Sequence, residues 1–169
     1  MSVLGVIPNF FTAANLILGS SALVAVINHS PKTAAVLVLL AAFFDRADGS
    51  IARRCSCSSN FGKEFDSLAD LVSFGVAPAA LTYSAAVNKW HAPAPLGFLC
   101  FILFILCGAF RLARFNISGG GPYYQGLPIT VAGSIMAAAA VVIKSPPAVL
   151  ILCFVLAAAM VSTVRIPKI

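Results

Sequence analysis

Long apolar stretches, separated by short polar loops, constrain the fold of this chain more than any other feature. Of its 169 residues, 60% are hydrophobic and only 9% are charged. Apolar runs of about 18 residues or more are typical of membrane helices. Strands of a β-barrel would alternate apolar and polar residues, which these runs do not. The sequence therefore predicts an all-α polytopic membrane protein, with about six transmembrane helices in a single domain over residues 1–169.

Loop-forming residues divide the chain into six predicted spans. Clusters rich in Pro, Gly, Asn and Lys interrupt the apolar runs and mark the connections. A short apolar lead, residues 1–7, precedes the first span, and Pro78 should kink the third. The predicted spans cover residues 11–27, 33–54, 61–87, 96–116, 124–143 and 148–164.

Basic residues favour one orientation in the membrane. Six spans place both termini on the same side, and Lys and Arg are enriched in cytoplasmic loops. The opposite side holds Lys32, Lys89 and Lys144. We therefore expect cytoplasmic termini, on a side that carries Arg46, Arg53, Arg54, Lys63, Arg111, Arg114, Arg165 and Lys168.

The net charge of +6 indicates which partners the chain attracts. Its basic residues stand between apolar runs, which favours anionic lipid headgroups or a phosphate-bearing substrate as the partner. The sequence has no basic tract with interleaved aromatic residues, so nucleic acid is not an expected partner.

All five acidic residues of the chain lie between Asp45 and Asp70. Carboxylates are costly in so apolar a chain unless protons, cations or charged partners compensate them. Helical spacings of three and four residues place Asp45 and Asp48 on one face of the second span. The same spacing places Asp66 and Asp70 on one face of the third span.

These four aspartates should converge, because the second and third predicted spans are antiparallel neighbours joined by a short loop. They either share protons and arginine partners or bind divalent cations. Carboxylate oxygens are hard ligands that suit Mg²⁺, Mn²⁺ or Ca²⁺, and four carboxylates suffice for two ions. A second metal-like pattern, the C-x-C of Cys55 and Cys57, lacks further thiols or histidines nearby, and we interpret it as two reduced thiols.

Small and polar residues lie beside the acids or deep in a span. Gly49, Ala52 and Gly62 share the faces of the aspartates and leave space next to the carboxylates. Such residues serve either close helix packing or a ligand groove, and the neighbouring acids favour the groove. Asn15, deep in the first span, either bonds a neighbouring helix or contacts a ligand.

The acids and small residues form one spaced pattern, D-x2-D-G-x2-A-R-x8-G-x3-D-x3-D. This pattern resembles the signature of the CDP-alcohol phosphotransferases, without any departure in spacing. The resemblance implies a six-helix membrane fold, often homodimeric, that transfers a phosphatidyl-type group from a CDP-linked lipid to an alcohol. It also implies release of CMP and the use of magnesium or manganese. The matching positions are Asp45, Asp48, Gly49, Ala52, Arg53, Gly62, Asp66 and Asp70.

Three further stretches, residues 66–79, 110–116 and 125–130, are similar to bacterial and archaeal phosphatidylserine synthases. This branch implies L-serine as the acceptor and CDP-diacylglycerol or CDP-archaeol as the donor, among the lipids of the membrane. Together with the predicted orientation, it indicates the cell membrane of a bacterium or archaeon, with the active site at the cytoplasmic surface.

The resemblance also implies roles for individual residues. Asp70 is implied as the base that accepts the proton of the attacking hydroxyl. The two divalent cations, Mg²⁺ or Mn²⁺, are implied to bind Asp45, Asp48, Asp66 and Asp70. Arg53 belongs to the implied nucleotide site, or alternatively anchors a lipid headgroup at a helix end. The implied nucleotide-binding residues are Asn15, Asp48, Gly49, Ala52, Arg53 and Gly62.

Serine carries a carboxylate, which an arginine side chain binds well in a bidentate manner. Arg111 and Arg114 share one face of the fourth span, and they either bind this carboxylate or anchor the helix end on the cytoplasmic side. Asn116 and Gln125 are candidates for binding the amino group of serine. Lys63 is a candidate for binding lipid phosphate, or is a solvated loop charge.

Three alternatives remain open at this point, one of which is a structural membrane protein without catalytic activity. The first is the same reaction with another acceptor, glycerol 3-phosphate or inositol phosphate. The second belongs to another class, a cation channel or transporter that uses the aspartates as its ion site. A transporter leaves the D-G-x2-A-R spacing without an explanation.

Overall fold

The computed structural model describes residues 6–55, 59–89, 94–117 and 123–167, and within these ranges the side chains of residues 6–8, 48, 50–55, 89, 123–125 and 165–167 are not described. The described ranges contain six helices and one two-stranded sheet. Cys57 lies outside these ranges, as does the Cys55 side chain. The helices are α1 Val6–Ile27, α2 Pro31–Cys55, α3 over 60–89, α4 Ala94–Ile117, α5 Ile129–Val142 and α6 Pro146–Val161.

The helical architecture predicted from the apolar runs is confirmed, with shifts at the helix ends. The first helix begins at Val6 rather than near residue 11. Pro8 therefore falls within the first helical turn, where its missing N–H leaves no intrahelical hydrogen bond unmade. The last helix ends at Val161, three residues before the predicted end, and the chain then turns into a strand.

The segment before α5 was predicted as helix from residue 124, and this prediction was wrong. Tyr123–Gln125 forms a strand, β1, that pairs antiparallel with β2, Arg165–Pro167. Gly126 has a positive φ of 75°, and Pro128 is the extended N-cap residue of α5. A left-handed glycine followed closely by a proline is incompatible with a continuous helix, so α5 begins only at Ile129.

Three of the described helical segments are long and apolar enough to cross a membrane, by length and composition: Asn9–Ile27, Asn60–Asn88 and Ala94–Ile117. The helices α5 and α6 are apolar but shorter, with 14 and 16 residues. Many large apolar side chains point outward, among them Phe43, which is 69% exposed. This outward apolar surface is typical of a polytopic membrane protein, whose outer face meets lipid rather than water.

Helix α3 is irregular directly after Asp70. Residues Leu71–Val76 are π-helical, and the Ala77 N–H bonds the Val72 carbonyl five residues earlier. The helix then continues through Pro78, which stands at the start of the next α-helical turn. π-Helical turns frequently occur at functional sites, and this one widens α3 beside the acidic cluster.

Neighbouring helices approach the π-helical segment through glycines. A Cβ atom on Gly19 of α1 would lie 2.6 Å from the Ser73 Cα atom. A Cβ atom on Gly133 of α5 would lie 2.7 Å from the Phe74 Cα atom. Small residues allow such close contact of helix backbones, and α3 is thereby held between α1 and α5.

Candidate active site

Three carboxylates from two helices meet at one point. Asp45 of α2 and Asp66 and Asp70 of α3 each offer an oxygen within 4.8 Å of the other two. Asp70 is buried, whereas Asp45 and Asp66 are half-buried. Two ionised carboxylates this close repel each other, because neither carries a hydrogen-bond donor. Carboxylates at this separation require a shared proton or a bound cation.

The predicted convergence of α2 and α3 brings together three of the four aspartates. Asp48 lies on α2, one helical turn beyond Asp45, and its side chain is outside the described part of the structure. Asp70 lies at the last α-helical position before the π-helical segment. The i, i+4 spacing of Asp66 and Asp70 brings both carboxylates to the same face of α3.

Asn15 of α1 holds the buried aspartate. Its side-chain amide Nδ2 donates to Asp70 Oδ1 at 3.2 Å. Ser73 in turn donates its hydroxyl to the Asn15 backbone carbonyl at 3.0 Å, which ties α1 to α3. Asn15 is fully buried, and its Oδ1 atom has no hydrogen-bond partner among the described residues. A buried amide oxygen without a donor is costly, so this atom is available to a ligand or ion.

Thr130, which sequence reasoning missed, contacts the cluster from α5. It lies in the first turn of α5, and its side chain is a neighbour of the Asp45 carboxylate. The residue lies in a stretch that supported the family resemblance, but nothing in its spacing points to an acid on α2. The contact depends on how α5 packs against α2 and α3, which periodicity does not reveal.

The donor set of this cluster fits a divalent cation. Three hard carboxylate oxygen ligands lie within reach of a single ion, and the side-chain Oδ1 atom of Asn15 has no hydrogen-bond donor among the described residues. Ions such as Mg²⁺ and Mn²⁺ prefer oxygen ligands of this kind. A cation would also relieve the repulsion between three carboxylates in a partly buried place.

Arg111 of α4 lies at the edge of the cluster. It is buried, with 6% of its surface exposed, and its charge interacts with the Asp45 carboxylate. Its guanidinium carbon lies 5.5 Å from the centre of the Phe115 ring, which supports it by a cation–π contact. A buried arginine beside carboxylates can balance their charge and can orient an anionic ligand.

Arg114, only one turn further along α4, is engaged elsewhere. Its guanidinium donates to the backbone carbonyls of Val161 at 3.0 Å and Ser162 at 3.1 Å, at the C-terminus of α6. A longer contact, 3.5 Å, reaches the Met160 carbonyl. The last carbonyls of a helix lack intrahelical partners, and a cation there also complements the helix dipole.

We therefore expect Arg114→Gln to destabilise the protein by about 2 kcal/mol, because three carbonyls lose a charged donor. Thermal unfolding of the purified protein in detergent measures this effect. Lys144, an exposed basic residue before α6, provides the control, since Lys144→Gln should leave the melting temperature unchanged. Equal melting temperatures for the two variants would contradict the assignment of Arg114 to the α6 terminus.

Asn116 and Lys63 lie at the same end of α3 and α4, where the two helices come together. Asn116 donates from Nδ2 to Glu64 Oε2 at 3.2 Å and to Ser67 Oγ at 3.1 Å. It thereby fastens the end of α4 to the start of α3, beside Asp66. Lys63 is exposed at the start of α3.

The predicted nucleotide-binding glycines differ in their surroundings. A Cβ atom added to Gly49 would meet nothing within 4 Å among the described atoms, so this glycine borders open space. Gly62 donates its backbone N–H to Ser59 Oγ at 2.9 Å in the first turn of α3. The side chains of Ala52, Arg53 and Gln125 lie outside the part of the chain whose side chains are described.

Comparison with known proteins gives one family. The sequence profile of the CDP-alcohol phosphatidyltransferases matches residues 5–165. Archaetidylserine synthase of Methanothermobacter thermautotrophicus is 43% identical over 129 residues, which are 75% of this chain and 54% of that protein. CDP-diacylglycerol–serine O-phosphatidyltransferase of Bacillus subtilis is 38% identical over 128 residues, 75% of this chain and 71% of that protein. The enzyme of the same name from Helicobacter pylori J99 is 41% identical over 128 residues, 74% and 53% of the two chains.

The chain spans about half the length of two of these relatives, because the matched regions are 54% and 53% of those proteins. The family profile, in contrast, extends over nearly all of the chain and includes α1 to α6. The three aspartates that meet between α2 and α3 fall on the spaced acidic pattern from which the same family was expected. The profile match and the aspartate pattern together show that the chain belongs to the CDP-alcohol phosphatidyltransferase family.

Proposed function

We propose that this protein transfers a phosphatidyl group from a CDP-linked lipid to the hydroxyl of L-serine, releasing CMP. The observation that carries the proposal is the carboxylate cluster of Asp45, Asp66 and Asp70 with the buried Arg111 at its edge. The acidic cluster suits a cation-bound diphosphate, and the arginine suits the carboxylate of serine. The names of the bacterial and archaeal relatives support serine as the acceptor.

Asp45, Asp66 and Asp70, together with Asp48, are proposed to hold two divalent cations, Mg²⁺ or Mn²⁺. Bound cations would neutralise the diphosphate of the donor lipid and stabilise the departing CMP. The residues themselves supply hard oxygen ligands from two helices that are already in contact. Asn15 orients the Asp70 carboxylate through its amide and offers a further oxygen at the same place.

Asp70 is proposed as the base of the reaction. The serine hydroxyl oxygen forms a bond to the lipid-side phosphorus, the bond from this phosphorus to CMP breaks, and the hydroxyl proton passes to Asp70. The hydrogen bond from Asn15 to Asp70 Oδ1 fixes the carboxylate, so proton transfer needs no reorientation. We propose a single direct displacement, without a covalent enzyme intermediate.

Arg111 is the candidate best supported for binding the serine carboxylate, because it is buried and next to the cluster. Arg114, Asn116 and Gln125 are proposed to support the acceptor site, although the donors of Arg114 are used at the end of α6. Lys63 is proposed to attract lipid phosphate. Nucleotide binding is assigned to Asn15, Asp48, Gly49, Ala52, Arg53 and Gly62.

The cellular setting is proposed on the same basis. The outward apolar surface of the helices suits an integral protein of the cell membrane, and the basic residues favour cytoplasmic termini and a cytoplasmic active site. The donor lipid is CDP-diacylglycerol or its archaeol counterpart, since relatives of both kinds are similar to this chain. We propose a single domain over residues 1–169 that assembles as a homodimer.

Release of CMP from CDP-diacylglycerol by the purified protein in mixed micelles tests the proposed function. CMP should appear with L-serine and Mn²⁺ or Mg²⁺, and not after removal of the divalent ion by EDTA. Glycerol 3-phosphate and inositol phosphate, offered separately, test the alternative acceptors. Activity with one of these but not with L-serine would refute the acceptor and leave the reaction type intact, whereas cation flux into liposomes without CMP release would favour a transporter.

A further inference from the structure

We propose that Ser73 is a positioning residue that fixes Asn15 and, through it, the Asp70 carboxylate for cation binding. This inference rests on the proposed function, because it concerns the same acidic cluster. Ser73 is fully buried in the π-helical segment that directly follows Asp70. Its hydroxyl donates to the Asn15 backbone carbonyl on α1 at 3.0 Å. In return, the Asn15 side chain donates from Nδ2 to Asp70 Oδ1 at 3.2 Å.

These two hydrogen bonds run in opposite directions between the same two helices. The bond from α1 to α3 holds the carboxylate of Asp70. The bond from α3 to α1 holds the backbone of Asn15, the residue that makes the first bond. The Asn15 amide can reach Asp70 only while α1 keeps its position along α3, and the Ser73 hydroxyl fixes that position. Bonds of this kind, behind the groups that meet a ligand, hold a site in its productive geometry.

Gly19 leaves the space that the Ser73 hydroxyl occupies. It lies one helical turn after Asn15 on α1. A Cβ atom on Gly19 would lie 2.6 Å from the Ser73 Cα atom and closer still to the Ser73 hydroxyl oxygen. A side chain at this position would therefore push α3 away from α1 and break the hydrogen bond to the Asn15 carbonyl. The close approach of the two helices thus serves a polar contact as well as packing.

Thr82, a second buried hydroxyl residue of α3, behaves differently. It donates to the Pro78 carbonyl at 2.9 Å, four residues earlier in the same helix. This local bond is usual for Ser and Thr inside helices. The Ser73 hydroxyl instead crosses to α1 and bonds the residue that holds Asp70. Its bond is therefore a tertiary contact of the site rather than local satisfaction of a polar group.

The Asn15 amide can support a cation in two ways. Its Nδ2 is a neutral donor, which fixes the direction of the Asp70 carboxylate and leaves the negative charge for a cation. Its Oδ1 is buried, has no hydrogen-bond partner among the described residues, and is a hard oxygen of the kind that divalent cations bind. Groups behind the metal ligands orient them and increase metal affinity. Loss of the Ser73 hydroxyl should therefore weaken cation binding although every carboxylate remains.

The experiment measures Mn²⁺ binding to the purified full chain in detergent, by the loss of the electron paramagnetic resonance signal of free Mn²⁺. Ser73→Ala removes the hydroxyl and should weaken Mn²⁺ binding about tenfold. Asn15→Ala removes the amide and should weaken it about tenfold or more. The double variant should bind Mn²⁺ as Asn15→Ala alone does, because the Ser73 hydroxyl then has no amide to position. Thr82→Val removes the local hydroxyl of the same helix, and this matched control should bind as the parent does.

Unchanged Mn²⁺ affinity of Ser73→Ala would overturn the inference and leave the proposed function standing. A further tenfold loss on adding Ser73→Ala to Asn15→Ala would also overturn it, because Ser73 would then act through packing and not through the amide. Equal weakening by Thr82→Val would have the same meaning. Absence of Mn²⁺ binding by the parent protein would refute the metal site itself, and the inference with it. Ser73→Cys, whose thiol is a weak donor, replaces Ser73→Ala if that variant is not monodisperse on gel filtration.

Discussion

Asp70→Asn is expected to lower the rate of CMP release by about 10³-fold or more, with the protein still folded. The substitution keeps the shape of the side chain and removes both its charge and its ability to accept a proton. General-base catalysis alone contributes about 10² to 10⁴ in rate, and loss of a cation ligand adds to this. Asp70 is the buried member of the cluster and the one that Asn15 holds, so no exposed group can easily replace it.

Glu64→Gln is the matched control for this measurement. Glu64 is an exposed acid on the same helix, and its Oε2 atom accepts a hydrogen bond from Asn116 that a glutamine oxygen can also accept. The Glu64→Gln variant should release CMP at a rate within about twofold of the parent rate, since the substitution removes only a charge outside the cluster. Retention of a tenth or more of the parent rate by Asp70→Asn would show that another group accepts the proton.

Much of the architecture follows from local patterns in the sequence. The long apolar runs required helices, because the backbone has no other partners for its polar groups in lipid. The four-residue spacing of Asp66 and Asp70 places both side chains on one face of α3. The short loop between α2 and α3 makes these helices neighbours, and this brings Asp45 close to the pair. These inferences depend only on period and chain connectivity, which a single sequence contains.

The contacts that complete the site lie beyond such patterns. Asn15 and Asp70 are 55 residues apart in the sequence, and their hydrogen bond depends on the packing of α1 against α3. Arg111 and Arg114 lie three residues apart near the end of α4, and the sequence does not distinguish their roles. In the structure Arg111 lies near Asp45, whereas Arg114 donates to the carbonyls at the C-terminus of α6. A turn of three residues rotates a side chain by about 60° around the helix, which is enough to change the neighbouring helix that it meets.

The strand pairing before α5 was likewise inaccessible from the sequence. The strand Tyr123–Gln125 pairs with Arg165–Pro167, and α5 and α6 both lie between the two strands in the sequence. The residues near either strand in the sequence therefore do not indicate its partner. Each is too short to show the period-two alternation of a strand. The Gly-Leu-Pro turn that follows β1 did contain the signal for a late helix start, since glycine and proline together disfavour helix.

Gly133→Ala is expected to destabilise the protein by about 2 kcal/mol, although alanine is the better helix former. The new methyl group would lie 2.7 Å from the Phe74 Cα atom and closer still to the Phe74 carbonyl oxygen. Both are backbone atoms of α3, so no side chain can rotate away and α5 must move. The intrinsic gain of about 1 kcal/mol for glycine to alanine in a helix is therefore outweighed by overpacking.

Gly97→Ala on α4 is the control that separates the clash with backbone from the helix preference of alanine. The new methyl group there would meet only side chains. The nearest atoms are Tyr83 Cδ2 at 3.3 Å and the Ala86 Cβ atom at 3.5 Å, which small shifts accommodate. Thermal unfolding in detergent should thus distinguish the two variants, with a lower melting temperature for Gly133→Ala and an unchanged or higher one for Gly97→Ala. Equal melting temperatures for the two variants would mean that α5 does not pack on the α3 backbone as described.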